Sequence, residues 1–127
     1  MNPKLKKIIY WVLTGLVAFC FIATGLQKLT GLSDEGAGEG IGGVTNQAIL
    51  GVMQLVFVVL FLIPRTAVVG TLFLIAYMGG AMAVHFVANE DMTLQIGIQV
   101  LIWITAFFRF PELRQRICGC NQASCKK

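Results

Sequence analysis

The chain has 127 residues, of which 57% are hydrophobic and only 13% are charged. An average soluble domain contains roughly 25% charged residues, so this composition excludes an ordinary water-soluble domain and favours a single domain in a lipid bilayer. The formal net charge of +4 is explained by the topology described below, and we expect no nucleic-acid binding from it.

Four long apolar stretches contain no Asp, Glu, Lys or Arg, and we predict that each crosses the membrane. About 18 or more apolar residues can span the roughly 30 Å hydrocarbon layer, and a helix is required because backbone groups in lipid have no water to bond. The predicted spans are residues 8–26, 44–63, 66–88 and 92–108. The fold class is therefore all-α, an integral membrane antiparallel four-helix bundle. We expect the bundle and a short juxtamembrane segment in residues 1–117 and a cysteine-containing cytoplasmic tail in residues 118–127.

The first span follows a basic segment, a combination that also begins secretory signals. Its apolar run exceeds the usual length of about 7 to 15 residues for such a signal. The small residues Ala23-Thr24-Gly25 make only a weak cleavage site. We therefore expect a retained span.

The basic residues flank the spans on one alternate set of segments. Lys and Arg near span ends are retained on the cytoplasmic side. Lys28 is the one exception, in the first connection, where acidic residues also lie. The nine basic residues that follow the rule are Lys4, Lys6, Lys7, Arg65, Arg109, Arg114, Arg116, Lys126 and Lys127. This distribution predicts a multi-pass protein of the inner membrane with both termini in the cytoplasm.

The connections differ in length. The glycine-rich first connection, residues 30–43, is expected to form a mobile outer loop, and its G-x-G-x-x-G spacing lacks the βαβ unit of a dinucleotide site. Pro64 and Arg65 form a tight inner turn, and residues 89–91 form a tight outer turn, so the helices that they join are neighbours. Residues 112–117 are expected to lie along the membrane surface.

Small residues on the third span favour close helix packing. Lipid provides no hydrophobic force between helices, so spans associate where small side chains let their backbones approach. Ala76 with Gly80, and Gly79 with Ala83, have this small-xxx-small spacing. We expect the third helix to be the centre of packing, and one further candidate contact on each span is supplied by Gly15, Gly51, Gly70 and Gly97.

A set of hydrogen-bonding side chains lies toward the outer half of the predicted bundle. An ionisable residue inside a span indicates a functional site, which singles out His85 as the only histidine. The alternative is that these polar groups merely bond neighbouring helices, at about 0.6 kcal/mol each. The candidate ligand-binding residues are Gln27, Lys28, Gln54, His85, Gln95, Gln99 and Trp103.

The four cysteines are poorly placed for a complete metal site. Cys20 lies within the first span and is expected to fill space, as buried cysteine commonly does. Cys118, Cys120 and Cys125 cluster in the tail, where they can bind a soft metal, exchange disulfides or accept palmitate. No fourth ligand nearby completes a tetrahedral zinc site, so we expect no metal.

Three segments resemble the small bacterial DoxX-like membrane proteins. These are GLQKLTG at residues 25–31, IPRTA at residues 63–67 and AYMGGAMAVH at residues 76–85. Trp103, Arg109 and Pro111 near the end also look like that family. The resemblance implies a four-helix membrane bundle. It also implies association with redox chemistry, because some members are subunits of thiosulfate:quinone oxidoreductases or partners of sulfur-handling proteins. Members often have Glu where this chain has Gln54.

These observations favour a redox-linked membrane subunit that binds a quinone-like or other small apolar ligand and works with a partner protein. A non-catalytic membrane assembly or scaffolding factor is the first alternative. A small transporter is the second, although every predicted span lacks the carboxylate that proton coupling usually needs. A quinone-linked dithiol oxidase is restricted to the inner side, because the outer loops contain no cysteine.

Overall fold

The computed structural model describes residues 2–30 and 43–119. This part of the chain contains helices and no strand, which confirms the all-α prediction. The helices are α1 (Pro3–Leu29), α2 (Val44–Leu62), α3 (Ala67–Val87), α4 (Thr93–Arg109) and α5 (Pro111–Cys118). The first four coincide with the predicted spans, and α1 is longer than its predicted span at both ends.

The first four helices form a closed ring. Each helix contacts the next along the chain, and α4 contacts α1. Short turns join α2 to α3 and α3 to α4, so these neighbours run in opposite directions. The end of α1 meets the start of α2 at Gly25 and Gly51, while Arg109 at the end of α4 lies over the ring of Tyr10 near the start of α1. The bundle is therefore antiparallel throughout.

Each helix of the ring contributes a large apolar side chain to the centre. Phe21, Phe61, Leu74 and Ile102 come from α1, α2, α3 and α4 in turn, and none is more than 1% exposed. They belong to one continuous cluster of buried side chains. Burial of such a side chain stabilises a fold by about 1.5 to 3 kcal/mol where water is the alternative.

The turn between α2 and α3 is set by a proline. Ile63 precedes Pro64 and has an extended backbone, with ψ of 121°, because the proline ring excludes the helical conformation from the preceding residue. Thr66 closes the turn. Its hydroxyl donates to the carbonyl of Leu60 at 2.9 Å, and its N–H donates to the carbonyl of Ile63 at 3.1 Å.

The turn between α3 and α4 combines a left-handed residue with an acidic side chain. Asn89 has a φ of 55°, and the N–H of Glu90 donates to the carbonyl of His85 at 3.0 Å. The carboxylate of Asp91 accepts hydrogen bonds from the hydroxyl and the N–H of Thr93, at 2.6 and 3.0 Å. The hydroxyl bond, followed by the backbone bond, holds the pKa of Asp91 below its usual value.

A second proline turns the chain away from the bundle. Phe110 is extended before Pro111, and α5 consequently leaves α4 at an angle of 104°. Its arginines are exposed. Gly119 follows α5 with a φ of 62°, a left-handed conformation that glycine adopts without a steric penalty.

Three helices are each long and apolar enough to cross a membrane, and a fourth span is counted if the bent pair of α4 and α5 is taken as one. By itself α4 has 17 residues, which rise about 26 Å in an α-helix. That length is at the lower limit for crossing a bilayer.

Glycine allows the closest contacts between helices, and these contacts centre on α2. A Cβ atom added to Gly51 would lie 3.0 Å from the carbonyl oxygen of Gly25. A Cβ atom added to Gly70 would lie 2.6 Å from the carbonyl carbon of Leu60 and would overlap the backbone of Phe61. The backbones of α1 and α3 therefore approach α2 more closely than larger residues would permit.

The small residues expected to pack the third span against its neighbours do not lie at these close contacts. Ala76, Gly80 and Ala83 are exposed, and Gly79 is half-buried. A Cβ atom at Gly79 or Gly80 would meet nothing within 4 Å. These four residues therefore make no close contact between helices of the described bundle. Their role in helix packing stays a prediction, and it would now involve a helix of another protein molecule.

The contact at Gly70 yields the first prediction. Gly70→Ala should lower the stability of the purified protein by about 1 to 3 kcal/mol, the usual cost of overpacking, since the added methyl group would meet main-chain atoms that cannot rotate away. Thermal unfolding in a mild detergent measures the change.

Gly79→Ala in the same helix is the matched control. It should be neutral or stabilising, because alanine favours a helix by about 1 kcal/mol over glycine. Equal stability of both variants would contradict the close packing of α2 and α3.

Candidate functional site

Lys28, Gln54 and Tyr77 join three helices through hydrogen bonds. The ammonium group of Lys28 donates to Oε1 of Gln54 at 2.9 Å and to the hydroxyl of Tyr77 at 2.7 Å. The hydroxyl of Tyr77 donates to the same Gln54 oxygen at 3.0 Å. We call these three residues the Lys28 cluster.

The position of the cluster follows from helix geometry. Lys28 is in the last turn of α1, two residues beyond the end of the predicted span. Helical side chains incline toward the N-terminus of their helix, so the long lysine stem extends back along the bundle rather than outward. Gln54 in α2 and Tyr77 in α3 each lie ten residues from the end of their helix that is nearer to Lys28, and the three polar groups meet at that depth.

Gln54 has all its hydrogen-bonding capacity occupied. It is 1% exposed, its Oε1 accepts the two bonds described above, and its Nε2 donates to the carbonyl of Phe21 at 2.9 Å and to the hydroxyl of Thr24. Thr24 in turn donates to the carbonyl of Cys20 at 2.9 Å. An amide offers two donors and two acceptor positions. Gln54 therefore orients the cluster and has no polar position left for a ligand.

Lys28 retains capacity for a further partner. An ammonium group has three donors, and two of them are engaged by Gln54 and Tyr77. Both acceptors are neutral. Among the residues described here, the one contact between a basic side chain and a carboxylate joins His85 to Glu90, so no carboxylate within the described ranges compensates the Lys28 charge. The cluster thus presents one N–H donor and a positive charge.

Aromatic rings extend from the cluster to the bundle surface. The Lys28 nitrogen lies 5.1 Å from the centroid of the Tyr77 ring and is bonded to the hydroxyl at the edge of that ring. Phe57 contacts Tyr77 edge to face at 6.3 Å and stacks on Phe73 at 4.9 Å. Phe73 is exposed on the outside of the bundle. The rings form an aromatic wall between α2 and α3.

His85 lies apart from the Lys28 cluster. Its Nδ1 is 2.6 Å from a carboxylate oxygen of Glu90; His85 is in the last turn of α3, and Glu90 is in the connection that follows. Gln27 is exposed, although it adjoins Lys28 in sequence. The structure therefore brings together Lys28 and Gln54 among the candidate residues, and places His85 and Gln27 outside their hydrogen-bond network.

Two other candidates, Gln95 and Gln99, carry buried acceptors that have no partner. The Oε1 atoms of both residues are inaccessible to solvent and make no hydrogen bond. Leaving such an atom unpaired costs about 1 to 3 kcal/mol. Trp103 lies a further turn along the same face of α4, half-buried, with its ring 6.3 Å from that of Phe107. The two unpaired oxygens on this face can accept hydrogen bonds from a ligand that carries a hydroxyl or amine hydrogen.

The cysteines do not form a metal centre within the described residues. Cys20 is partly buried in α1 and Cys118 is exposed at the end of α5. Cys120 and Cys125 lie outside the described residues, so the expected clustering of the tail thiols stays a prediction. No group of three His, Cys, Asp or Glu side chains within the described ranges has a geometry that holds a metal ion.

Sequence reasoning missed Tyr77 and Thr24. The candidate set consisted of glutamine, lysine, histidine and tryptophan side chains, and it included no tyrosine or threonine. A usable signal for Tyr77 was its depth, because Tyr77 and Gln54 are equally far from the same end of the bundle. Thr24 carried no comparable signal, since a helical threonine commonly bonds its own backbone.

Comparison with known proteins gives no family for this chain. No protein-family model matches it, and neither a curated protein nor a solved structure does. The resemblance to DoxX-like proteins therefore stays a prediction, and the functional argument depends on the geometry of the Lys28 cluster and of the α4 face.

Proposed function

We propose that the chain is an integral protein of the inner membrane whose first four helices cross the bilayer, with both termini in the cytoplasm. Its outer surface supports this proposal. Soluble monomers rarely expose contiguous apolar patches larger than a few hundred Å², whereas large apolar side chains are exposed on all four long helices. Examples are Trp11, Phe19, Val59, Leu72 and Leu94. The basic residues beside the spans support the orientation.

The function that the geometry supports best is binding of a small, flat, lipid-soluble molecule with carbonyl or hydroxyl oxygens, such as a quinone or quinol. The observation that carries this proposal is the Lys28 ammonium group, which donates to two neutral acceptors and has one donor without a partner among the described residues. A carbonyl oxygen is a suitable acceptor for that donor, and the positive charge favours electron density on it. The aromatic wall of Phe57, Phe73 and Tyr77 offers faces on which a flat ring can pack.

The α4 face complements this donor. A quinol carries hydroxyl hydrogens, and Gln95 and Gln99 each present an unpaired oxygen that can accept one. We place the ligand between the Lys28 cluster and this face of α4, with a donor on one side and acceptors on the other. Oriented hydrogen bonds of this kind on an apolar frame are typical of small-molecule sites.

A partner protein completes the proposed role. The amine of Lys28 can hold a ligand, while the amide of Gln54 and the phenol of Tyr77 orient that amine. We propose that a separate redox or sulfur-handling protein exchanges electrons with it, as the resemblance to DoxX-like proteins implies. The exposed small residues of α3, Ala76, Gly79, Gly80 and Ala83, provide a surface on which another membrane helix can pack closely.

The second prediction concerns ligand binding by Lys28. Lys28→Met keeps the length of the apolar stem and removes the charge and the donors, so the affinity for a soluble short-chain quinone should fall by about tenfold or more, the equivalent of one hydrogen bond to a charged group. Titration of the purified protein in detergent, followed by tryptophan fluorescence, measures the affinity.

Two matched variants control that measurement. Gln27→Ala changes the exposed neighbour of Lys28, and His85→Ala removes the only histidine. Both should change the affinity less than about threefold, since neither side chain forms a hydrogen bond with the Lys28 cluster. Equal affinity for wild type and Lys28→Met would remove the cluster from the site, and a large loss in His85→Ala would move the site to the outer turn.

The third prediction concerns Gln95 and Gln99. The double variant Gln95→Leu, Gln99→Leu removes two unpaired buried acceptors, so without ligand its stability should equal or exceed that of the wild type. Its affinity for a quinol should fall, because the acceptors for the hydroxyl hydrogens are gone. Thermal unfolding with and without quinol measures both effects. A less stable variant with unchanged affinity would show that these oxygens serve the fold instead.

A scaffolding role is the second candidate function, and the saturated bonding of Gln54 favours it. A residue that uses every donor and acceptor to connect α1, α2 and α3 can act purely in holding helices together. Co-purification of a stable partner in the absence of any bound small molecule would support this alternative.

The fourth prediction tests the structural part that Gln54 plays under either function. Gln54→Leu leaves the Lys28 ammonium and the Tyr77 hydroxyl without their shared acceptor, so the protein should lose about 1 to 3 kcal/mol of stability. Gln54→Glu keeps the acceptor and adds an anion beside Lys28, so it should lose less. Unfolding in detergent at neutral pH compares the two. A Leu variant as stable as the wild type would contradict the assigned bonding.

A further inference from the structure

The opposite end of the bundle contains a second cation without an anion. Arg109, the last residue of α4, lies among three aromatic rings. Its guanidinium carbon is 4.6 Å from the centroid of Phe61, 5.5 Å from that of Tyr10 and 5.6 Å from that of Phe110. We call these four residues the Arg109 cage.

The cage leaves part of the guanidinium group unsatisfied. Its Nη1 atom is inaccessible to solvent and has no hydrogen-bond partner. Aromatic faces attract the positive charge but do not accept the N–H bonds that point along the plane of the group. One turn deeper on the Tyr10 face of α1, the hydroxyl of Thr14 is also buried without a partner. This end of the bundle therefore has two buried polar atoms that no described residue satisfies.

The surroundings of the cage are strongly basic. The acidic side chain at this end, within the described ranges, is that of Glu112, and no ion pair forms here. The basic side chains, all exposed except that of Arg109, are Lys4, Lys6, Lys7, Arg65, Arg109, Arg114 and Arg116. The α5 helix, which leaves α4 at 104°, extends this basic region beyond the bundle.

We infer that the Arg109 cage binds the phosphate group of an anionic membrane lipid. The inference rests on the membrane location proposed above. A guanidinium group donates two parallel N–H bonds to a phosphate, a geometry that lysine cannot reproduce. The aromatic rings hold the guanidinium plane at the end of the bundle, where a span of this length brings it to the headgroup layer. With α5 lying along the membrane surface, its exposed arginines attract further anionic headgroups.

Alternative occupants fit less well. A zwitterionic lipid brings its own cation to a region that already holds seven basic side chains. A soluble phosphate lacks acyl chains that can pack against the exposed apolar surface beside the cage, such as Trp11 and Phe108. Charge complementarity and this apolar border together favour an anionic glycerophospholipid.

Native mass spectrometry of the purified full-length protein tests the inference. The probes are phosphatidylglycerol, phosphatidylcholine and glycerol phosphate, each titrated separately in the same detergent. Wild type should bind phosphatidylglycerol at least about tenfold more tightly than either of the other two. Arg109→Leu should lose most of that preference, by about tenfold in affinity, the equivalent of one charge-assisted hydrogen bond.

Two further variants make the outcome decisive. Arg109→Lys keeps the positive charge in the cage, so it guards against loss of folding, and it should still bind several-fold more weakly than arginine because it lacks the paired donors. Arg116→Gln removes an exposed charge outside the cage and should cost less than about threefold. Unchanged binding by both Arg109 variants, or an equal loss from Arg116→Gln, would overturn the lipid site. So would glycerol phosphate binding as tightly as phosphatidylglycerol.

The same preparation separates this inference from the proposed function. Recovery of the protein from a detergent-free supernatant would overturn the membrane location and the lipid site together. A protein that requires detergent, binds quinone through Lys28 and binds phosphatidylglycerol without regard to Arg109 would overturn the lipid site alone.

Discussion

The central constraint on this structure is that the half-buried cation of Lys28 has only neutral hydrogen-bond partners among the described residues of an apolar helical bundle. Transfer of an ammonium ion out of water is costly unless hydrogen bonds replace its hydration. Lys28 recovers part of that hydration from Gln54 and Tyr77. These bonds fix where α1, α2 and α3 stand relative to one another, because the amide of Gln54 must reach α1 on one side and α3 on the other. The glycine contacts of Gly51 and Gly70 allow the backbones to come close enough for those bonds to form.

The polar network is directional, which limits what each residue can do. Donors run from Lys28 and Tyr77 into Gln54, and from Gln54 through Thr24 into the backbone of α1. The network ends at carbonyl groups and leaves one lysine donor over. Binding capacity therefore belongs to Lys28, while Gln54 positions it. The two unpaired oxygens of α4 have the complementary character, since they can only accept. This asymmetry favours a ligand with both an acceptor and a donor.

Hydropathy and the distribution of charge were sufficient to predict the helices, but not the site. The spans were located well because the apolar runs are long and the turns at Pro64 and residues 89–91 are short. The end of α1 was placed too early, because a hydrophobicity window treats any lysine as a boundary. Such a window contains no information on the direction of the Lys28 stem, which turns back into the bundle.

Helix packing was assigned to the small residues of α3 by spacing alone. Spacing does not say which face meets a neighbour; of the glycines named as candidate contacts, Gly51 and Gly70 lie against a neighbouring backbone in the described bundle, whereas Gly79 and Gly80 do not. His85 was predicted as a site residue because it is the only histidine in the chain. In the structure its side chain contacts Glu90 in the following turn and does not join the Lys28 cluster.

The most direct test of the proposal that Lys28 anchors a ligand is native mass spectrometry of the complex extracted from membranes in a mild detergent, comparing wild type with Lys28→Met. If Lys28 anchors a ligand, wild type should retain a lipid-soluble small molecule in stoichiometric amount, and the variant, although folded, should have lost it. A wild-type protein that carries no such molecule even when extracted with its native lipids, or a variant that retains the molecule equally well, would contradict a ligand-binding role for Lys28.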